Sequence, residues 1–387
     1  MRAAVGGPAP DFRALRARFS VLNERTYLAT QCLGPFPDEM LADLDEYRRT
    51  LFLRKRCIPL WADRLEEAIS LFERLLGAPP NSVALTPNAT AAQAAVAAAL
   101  RPEGGRDRIL YTAVDFHSSR YLWSTQGRRG FSPHEVPADD DGAVPVRALA
   151  ERIDRRTAVV ALSLVSPRTG ALADVRPVVE AARAAGALVV LDTYQAVGSV
   201  PIDVEALGVD VLVGGTHKWL CGGGMGLAFL YMRPELAESL EVAYPGWIGH
   251  REMLGFAEAY APAAGARRFM QGTPAFEPIY SARAGLRFVL EVGLPALRAR
   301  SLALTELLIG RARERGLEVP TPMASHARGG MVCLRVPEPE RVTDALAEAG
   351  VDVDCRPGAG IRIGPHPCNT ERECELAIDL IARHACG

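Results

Sequence analysis

The chain has 387 residues, 49% of them hydrophobic, and a formal net charge of −2. Those values predict a globular protein with a sizeable core, built as one large domain plus a smaller one or as two modest domains. Acids balance arginines along the whole length, which argues against a nucleic-acid or membrane-surface partner.

No segment reaches the apolar length of a membrane span. Met1 to Pro10 lacks the long apolar stretch of a secretory signal. Eight cysteines, at 32, 57, 221, 333, 355, 368, 374 and 386, form no CxxC pair and no zinc-like spacing with histidine. A cytoplasmic protein with reduced thiols is the expectation.

In chain order, residues 1–20 read as a loose start entering a short helix. Tyr27 to Pro37 reads as a loop around Gly34-Pro35. Pro37 to Leu76 is helical, with a break expected near Cys57-Ile58-Pro59. Ser82 to Thr86 reads as a strand, and Thr86-Pro87-Asn88-Ala89-Thr90 opens a helix from Ala91 to Leu100. Apolar strands then alternate with helices. The strands fall at Arg108–Thr112, Ala158–Leu164, Leu188–Asp192, Val211–Gly214 and Leu227–Met232. The helices fall at Ser118–Gly127 and Val175–Ala185. Continuous apolar strands between helices predict an α/β fold whose mostly parallel sheet is covered on both faces.

Past about residue 280 the texture changes. One long helix is expected from Ile279 to Arg315. Shorter strands follow at Gly330–Val336 and Arg362-Ile363, with helices at Glu340–Ala349 and Glu371–Ala385. This predicts an N-terminal segment (1–25), a large domain (26–278) and a small α/β domain (279–387).

Of forty-four basic residues, two are lysines. Lys55 sits in an arginine cluster. Lys218 lies in Gly214-Gly215-Thr216-His217-Lys218-Trp219-Leu220-Cys221-Gly222-Gly223-Gly224. Arginine stays charged, whereas a desolvated lysine can lose its proton and form a Schiff base with an aldehyde. Lys218 is therefore the candidate bearer of a covalent carbonyl cofactor.

Pyridoxal phosphate needs an amine, an anion facing its ring nitrogen, donors for its phosphate and a flat neighbour for its ring. Asp192 ends an apolar strand, where parallel sheets gather ligand groups; alone, it reads equally as a capping Asp. Asn88, Ala89 and Thr90 start a helix whose amides can meet a phosphate; a plain N-cap is an equal reading. Thr216 and His217 flank the lysine as further donors, although a lone His is more often structural. Phe116 can stack on a ring, and a core Phe is the simpler reading.

Together these residues make a pattern. Asp192-Thr193-Tyr194-Gln195-Ala196-Val197-Gly198, Pro201-Ile202-Asp203, Gly208-Val209-Asp210 and His217-Lys218 resemble the fold-type-I pyridoxal-phosphate enzymes of the class V aminotransferase superfamily. Asp192 and Lys218 stand 26 residues apart. The resemblance runs from Tyr27 to about Leu380. It implies an aspartate-aminotransferase-like fold, pyridoxal 5'-phosphate as cofactor and an amino acid as substrate. It puts the aldimine-forming lysine on Lys218, the ring-nitrogen acid on Asp192 and the group beside the ring hydroxyl on Gln195. The phosphate segment falls on Asn88, Ala89 and Thr90. The substrate-carboxylate clamp falls on Arg362, in Gly360-Ile361-Arg362-Ile363-Gly364.

The kynureninase branch is the most similar. Phe116-His117-Ser118-Ser119-Arg120-Tyr121 resembles its ring-stacking segment. Pro245-Gly246-Trp247-Ile248-Gly249-His250 and Gly272-Thr273-Pro274 resemble two others, and Arg168-Thr169-Gly170 also matches. In relatives the Gly-Thr-Pro segment reaches the neighbouring subunit's cofactor. That implies a homodimer with Thr273 in the partner's site and Trp247 and Thr273 as cofactor contacts. Three positions depart from that branch. His217 stands where a Tyr is usual, Ser119 where an Asp is usual, and Gln195 where a His is usual. The resemblance thus implies side-chain hydrolysis or lysis of the kynureninase kind. Transamination and cysteine desulfuration or C–S lysis are the alternatives; a desulfurase needs a mobile thiol near Arg362, and Cys355, only seven residues upstream on a loop shorter than usual, reads as structural.

Overall fold

A computed structural model describes residues 10–139 and 142–385. A seven-stranded sheet forms the centre. Its strands are β1 (Val83–Thr86), β2 (Arg108–Thr112), β3 (Ser132–Val136), β4 (Thr157–Ser163), β5 (Leu188–Asp192), β6 (Val211–Gly215) and β7 (Ala228–Met232). Their spatial order is β1-β7-β6-β5-β4-β2-β3. Neighbours from β3 across to β6 pair in parallel, and β7 runs antiparallel to both β6 and β1.

β1, β6 and β7 are buried at every position. Such strands cannot show a polar-out alternation, which is why they read as unbroken apolar runs. The edge strand β3 reads differently. Of its five residues only Val136 is buried, so the sequence carries no strand signal there. The helix Val146–Arg152 was equally illegible, with Leu149 as its one buried residue.

Two hydrophobic cores organise the described residues. The larger surrounds the seven-stranded sheet and takes in Phe19 and Leu22 near the start and Ile279 to Leu297 further on. The smaller runs from Leu304 to Ile381 and includes Leu28. It covers a three-stranded antiparallel sheet of β8 (Val332–Leu334), β9 (Asp354–Arg356) and β10 (Gly360–Ile363), in the order β9-β10-β8. The early chain joins this half directly: Thr26 and Tyr27 pair in parallel with Val351 and Asp352, and Ala29 bridges Gly364.

The long helix expected from Ile279 to Arg315 is two helices, Phe276–Val292 and Leu294–Glu314. Gly293 between them has φ 85°, a backbone that glycine adopts without steric cost. The break expected near Cys57–Pro59 lies earlier, in a 3-10 stretch, Leu51–Arg56. Pro59 falls in the first turn of the helix Cys57–Leu76, where its missing N–H leaves no bond unmade.

Candidate active site

The carboxyl ends of the parallel strands converge on one cavity of about 680 Å³. Asp192 is the last residue of β5. It lies in register with Ser163, the last residue of β4, and with Val213 of β6. Three residues beyond β6 comes Lys218. The turn that carries it is closed by the Cys221 N–H donating to the Lys218 carbonyl at 3.0 Å and the Gly222 N–H to that of Thr216 at 2.9 Å.

Lys218 is largely enclosed. Its Nζ lies 4.6 Å from the Tyr194 ring centroid and 5.8 Å from that of Phe116. Burial pushes its amine down to about 8; Arg362 adds to that, while Asp192 and Asp354 oppose it. Asp192 shifts upward because burial outweighs the Tyr194 N–H, Lys218 and Ser119. The Tyr194 N–H donates to its Oδ1 at 2.9 Å.

Beside Asp192 lies a small polar layer, of which sequence reasoning singled out Ser119 and missed Gln93 and Trp123. Gln93 donates to Ser119 Oγ at 2.7 Å and accepts from Trp123 Nε1 at 2.8 Å. Both Gln93 and Ser119 reach Asp192 Oδ2 at 3.5 Å, the long limit for such bonds. The available signal was a single polar residue inside the alanine-rich helix Ala89–Ala99.

That helix begins with Asn88, whose side chain accepts from the Ala91 N–H at 2.8 Å. The capping role is thereby observed. The N–H groups of Ala89 and Thr90 come before the first intrahelical bond, so they remain for an anion in the cavity. Phe116 is 45% exposed and lines the cavity. Gln195 is fixed at both ends: its Nε2 donates to the Gln31 carbonyl at 3.0 Å, and its Oε1 accepts from Trp219 Nε1 at 3.0 Å. One amide proton is left over for the cavity.

Arg362 sits on the central strand of the smaller sheet. Asp354, its cross-strand partner, takes its Nε at 2.7 Å and also its Nη2, and the Pro167 carbonyl takes Nη1 at 2.8 Å. Its remaining N–H groups suit a carboxylate. Arg356, on the same strand as Asp354, bridges the other Asp354 oxygen at 3.1 Å. Cys355 between them packs against the smaller core. The thiol that lines the cavity belongs instead to Cys32.

His217 also lines the cavity, with Nδ1 3.0 Å from the Tyr194 hydroxyl. Burial first, and Lys218 second, push its imidazole down to about 4, so it is neutral.

Three expected residues lie elsewhere. Thr216 is fully buried, and its hydroxyl donates to the Leu227 carbonyl at 3.2 Å. Trp247 donates to Thr273 at 3.3 Å. Thr273 lines a different groove, on the face of the Ala89–Ala99 helix that carries Ala91, Ala94 and Ala95.

These residues fit a pyridoxal cofactor. An enclosed amine with a lowered pKa, a buried carboxylate, a free helix N-terminus and a half-exposed aromatic ring share one cavity. The fold and the site define an α/β enzyme of fold type I. The family described as Aminotransferase class-V matches residues 60–366. The chain belongs to that family and is a pyridoxal 5'-phosphate-dependent enzyme. It is 31% identical to the protein named "Uncharacterized aminotransferase YcbU" of Bacillus subtilis (strain 168), over 95% of this chain and 96% of that one. It is 32% identical to a kynureninase of Deinococcus radiodurans, over 91% of this chain and 88% of the relative. Among solved structures, a cysteine desulfurase from Thermococcus onnurineus NA1 superposes with a TM-score of 0.85 over the full length of both chains at 21% identity, a likeness of fold.

Proposed function

We propose that this chain cleaves the side chain of an amino acid in the manner of a kynureninase, by hydrolysis or elimination. The extent of the cavity carries this reading. Besides Lys218 and Arg362, its lining includes Arg168, Arg356, Pro357 and Ala359. An amino acid held by its carboxylate has room there for a large side chain beside further guanidinium groups. The likeness to a kynureninase over most of both chains is consistent with the same reading.

Pyridoxal phosphate, when bound, supplies an electron sink for the α-carbon. The chain's own residues do the rest. Asp192 would face the ring nitrogen with its carboxylate and favour the protonated ring. Arg362 turns its free N–H groups to the substrate carboxylate, while Asp354 and Pro167 hold the guanidinium still. Lys218, titrating near 8, is neutral often enough to take a proton and can hand it back. Phe116, which lines the cavity, would lie against the ring.

Transamination is the second reading, favoured by the likeness to YcbU. Desulfuration would need the Cys32 thiol, since Cys355 packs against the smaller core. We also propose a homodimer in which Thr273 reaches the partner's cofactor. Exposed Tyr244, Trp247, Leu254 and Phe256 near that segment support an interface there. The seven cysteines in the described residues are all free, which suits a reducing cytoplasm.

The experiment is product analysis. Purified holoenzyme is incubated with kynurenine and a panel of amino acids, and products are followed by mass spectrometry. Alanine with an aromatic carboxylic acid is the expected result. The 2-oxo acid of the intact substrate would replace this reading with transamination. Alanine formed from cysteine, with its sulfur left as an enzyme persulfide that an added thiol reductant releases as sulfide, would replace it with desulfuration.

A further inference from the structure

His217 and Tyr194 are brought together from two strand ends, two residues past β5 and two past β6. Their rings lie 5.3 Å apart, and the phenol oxygen is 3.0 Å from Nδ1. The contact has a sequence requirement of its own. A Cβ on Gly215 would collide with the Tyr194 hydroxyl and ring edge, so the end of β6 is kept bare where the phenol lies against it.

The direction of the bond follows from proton counting. Among the described residues the phenol has one hydrogen-bond partner, His217 Nδ1. A neutral imidazole carries one N–H and one lone pair. Were the proton on Nδ1, it would point at the phenol oxygen, and the phenol's own proton would have no protein acceptor among the described residues. The phenol therefore donates, Nδ1 accepts, and the ring proton resides on Nε2. That nitrogen has no protein partner among the described residues, and His217 lines the cavity.

We infer that Tyr194 is a positioning residue that locks His217 in its Nε2–H tautomer, so that the residue before the lysine meets the cofactor's phosphate as a neutral hydrogen-bond donor. The alternative tautomer would turn a lone pair toward an anion. The inference rests on the pyridoxal-phosphate reading for its ligand. The lock itself is a property of the two side chains.

Nitrogen-15 NMR of histidine-labelled protein reads the tautomer directly. Wild type should show His217 protonated at Nε2. Tyr194→Phe should show a mixture with the Nδ1–H form and a roughly tenfold higher Kd for pyridoxal phosphate. His217→Gln supplies an amide donor that has no tautomer. In that background Tyr194→Phe should change the Kd less than about twofold, which isolates the coupling. An unchanged tautomer in Tyr194→Phe overturns the inference. So does an equal loss of affinity with and without His217, which would make the phenol's role one of packing alone. Failure of the cofactor reading looks different: borohydride would fix no adduct to Lys218 in wild type, while the tautomer measurement on the cofactor-free protein would still decide the lock.

Discussion

Lys218 shows how one side chain is tuned by its surroundings. Its amine loses water on burial, and Arg362 adds positive potential, so its pKa falls from 10.5 to about 8 despite Asp192. A lysine with a lowered folded pKa binds fewer protons folded than unfolded between those two values. Stability of the cofactor-free protein therefore rises as pH climbs from about 8 to about 10.5, and below about 8 the burial cost is present in full. Lys218→Met should stabilise the cofactor-free protein at pH 7 by on the order of 2–3 kcal/mol. Urea unfolding across pH would show that gain fading above about pH 8. A gain that stays constant to pH 10.5 would mean the amine is not desolvated. At this scale Lys218, Asp192 and Gln195 were legible in the sequence. Tyr194 was not assigned a role, since nothing in a linear reading says that its phenol turns toward His217.

The Ala89–Ala99 helix combines a cap and a ligand site in two turns. Asn88 satisfies the Ala91 N–H and leaves the preceding amides for an anion. Asp caps a helix about as well as Asn, but its charge would stand beside a phosphate. Asn88→Asp should leave thermal stability within about 0.5 kcal/mol and weaken cofactor binding at least tenfold by fluorescence titration. Asn88→Ala should cost about 1 kcal/mol of stability. Equal cofactor affinity in wild type and Asn88→Asp would remove the phosphate from this helix end. The cap was readable because Asn before an alanine run is a local signal. Gln93, one turn in, reaches Asp192, and its polar character inside that run was the sole trace. The break at Gly293 was missed, and the one at Arg54 was placed a few residues late, for a related reason: both residues have positive φ, a backbone property that periodicity does not report.

For the whole molecule, the cavity closes only because the two cores meet. The larger supplies the strand ends with Lys218 and Asp192, and the smaller supplies Arg362 on β10. Gln31, from the early chain, ties them, donating to the Arg362 carbonyl at 3.0 Å while its own carbonyl accepts from Gln195. If Thr273 completes a partner's site, two defective proteins should repair each other. Lys218→Ala protomers mixed with Thr273→Glu protomers should regain about a quarter of wild-type turnover, because half of random dimers are mixed and each mixed dimer has one intact site. No recovery, with mixed dimers verified by native mass spectrometry, would put Thr273 in its own chain's service.

The sequence by itself determined the cofactor chemistry. Asp192 and Lys218 end neighbouring strands of one βαβ unit, so their spacing is short and local, and burial writes the strands as apolar runs. Only the tertiary structure decided the company these residues keep. Arg362 meets Gln31 across 331 positions, Cys32 rather than Cys355 enters the cavity, and Tyr194 reaches His217 over a glycine. Those contacts depend on how two cores pack, and packing of distant segments leaves no period in the chain.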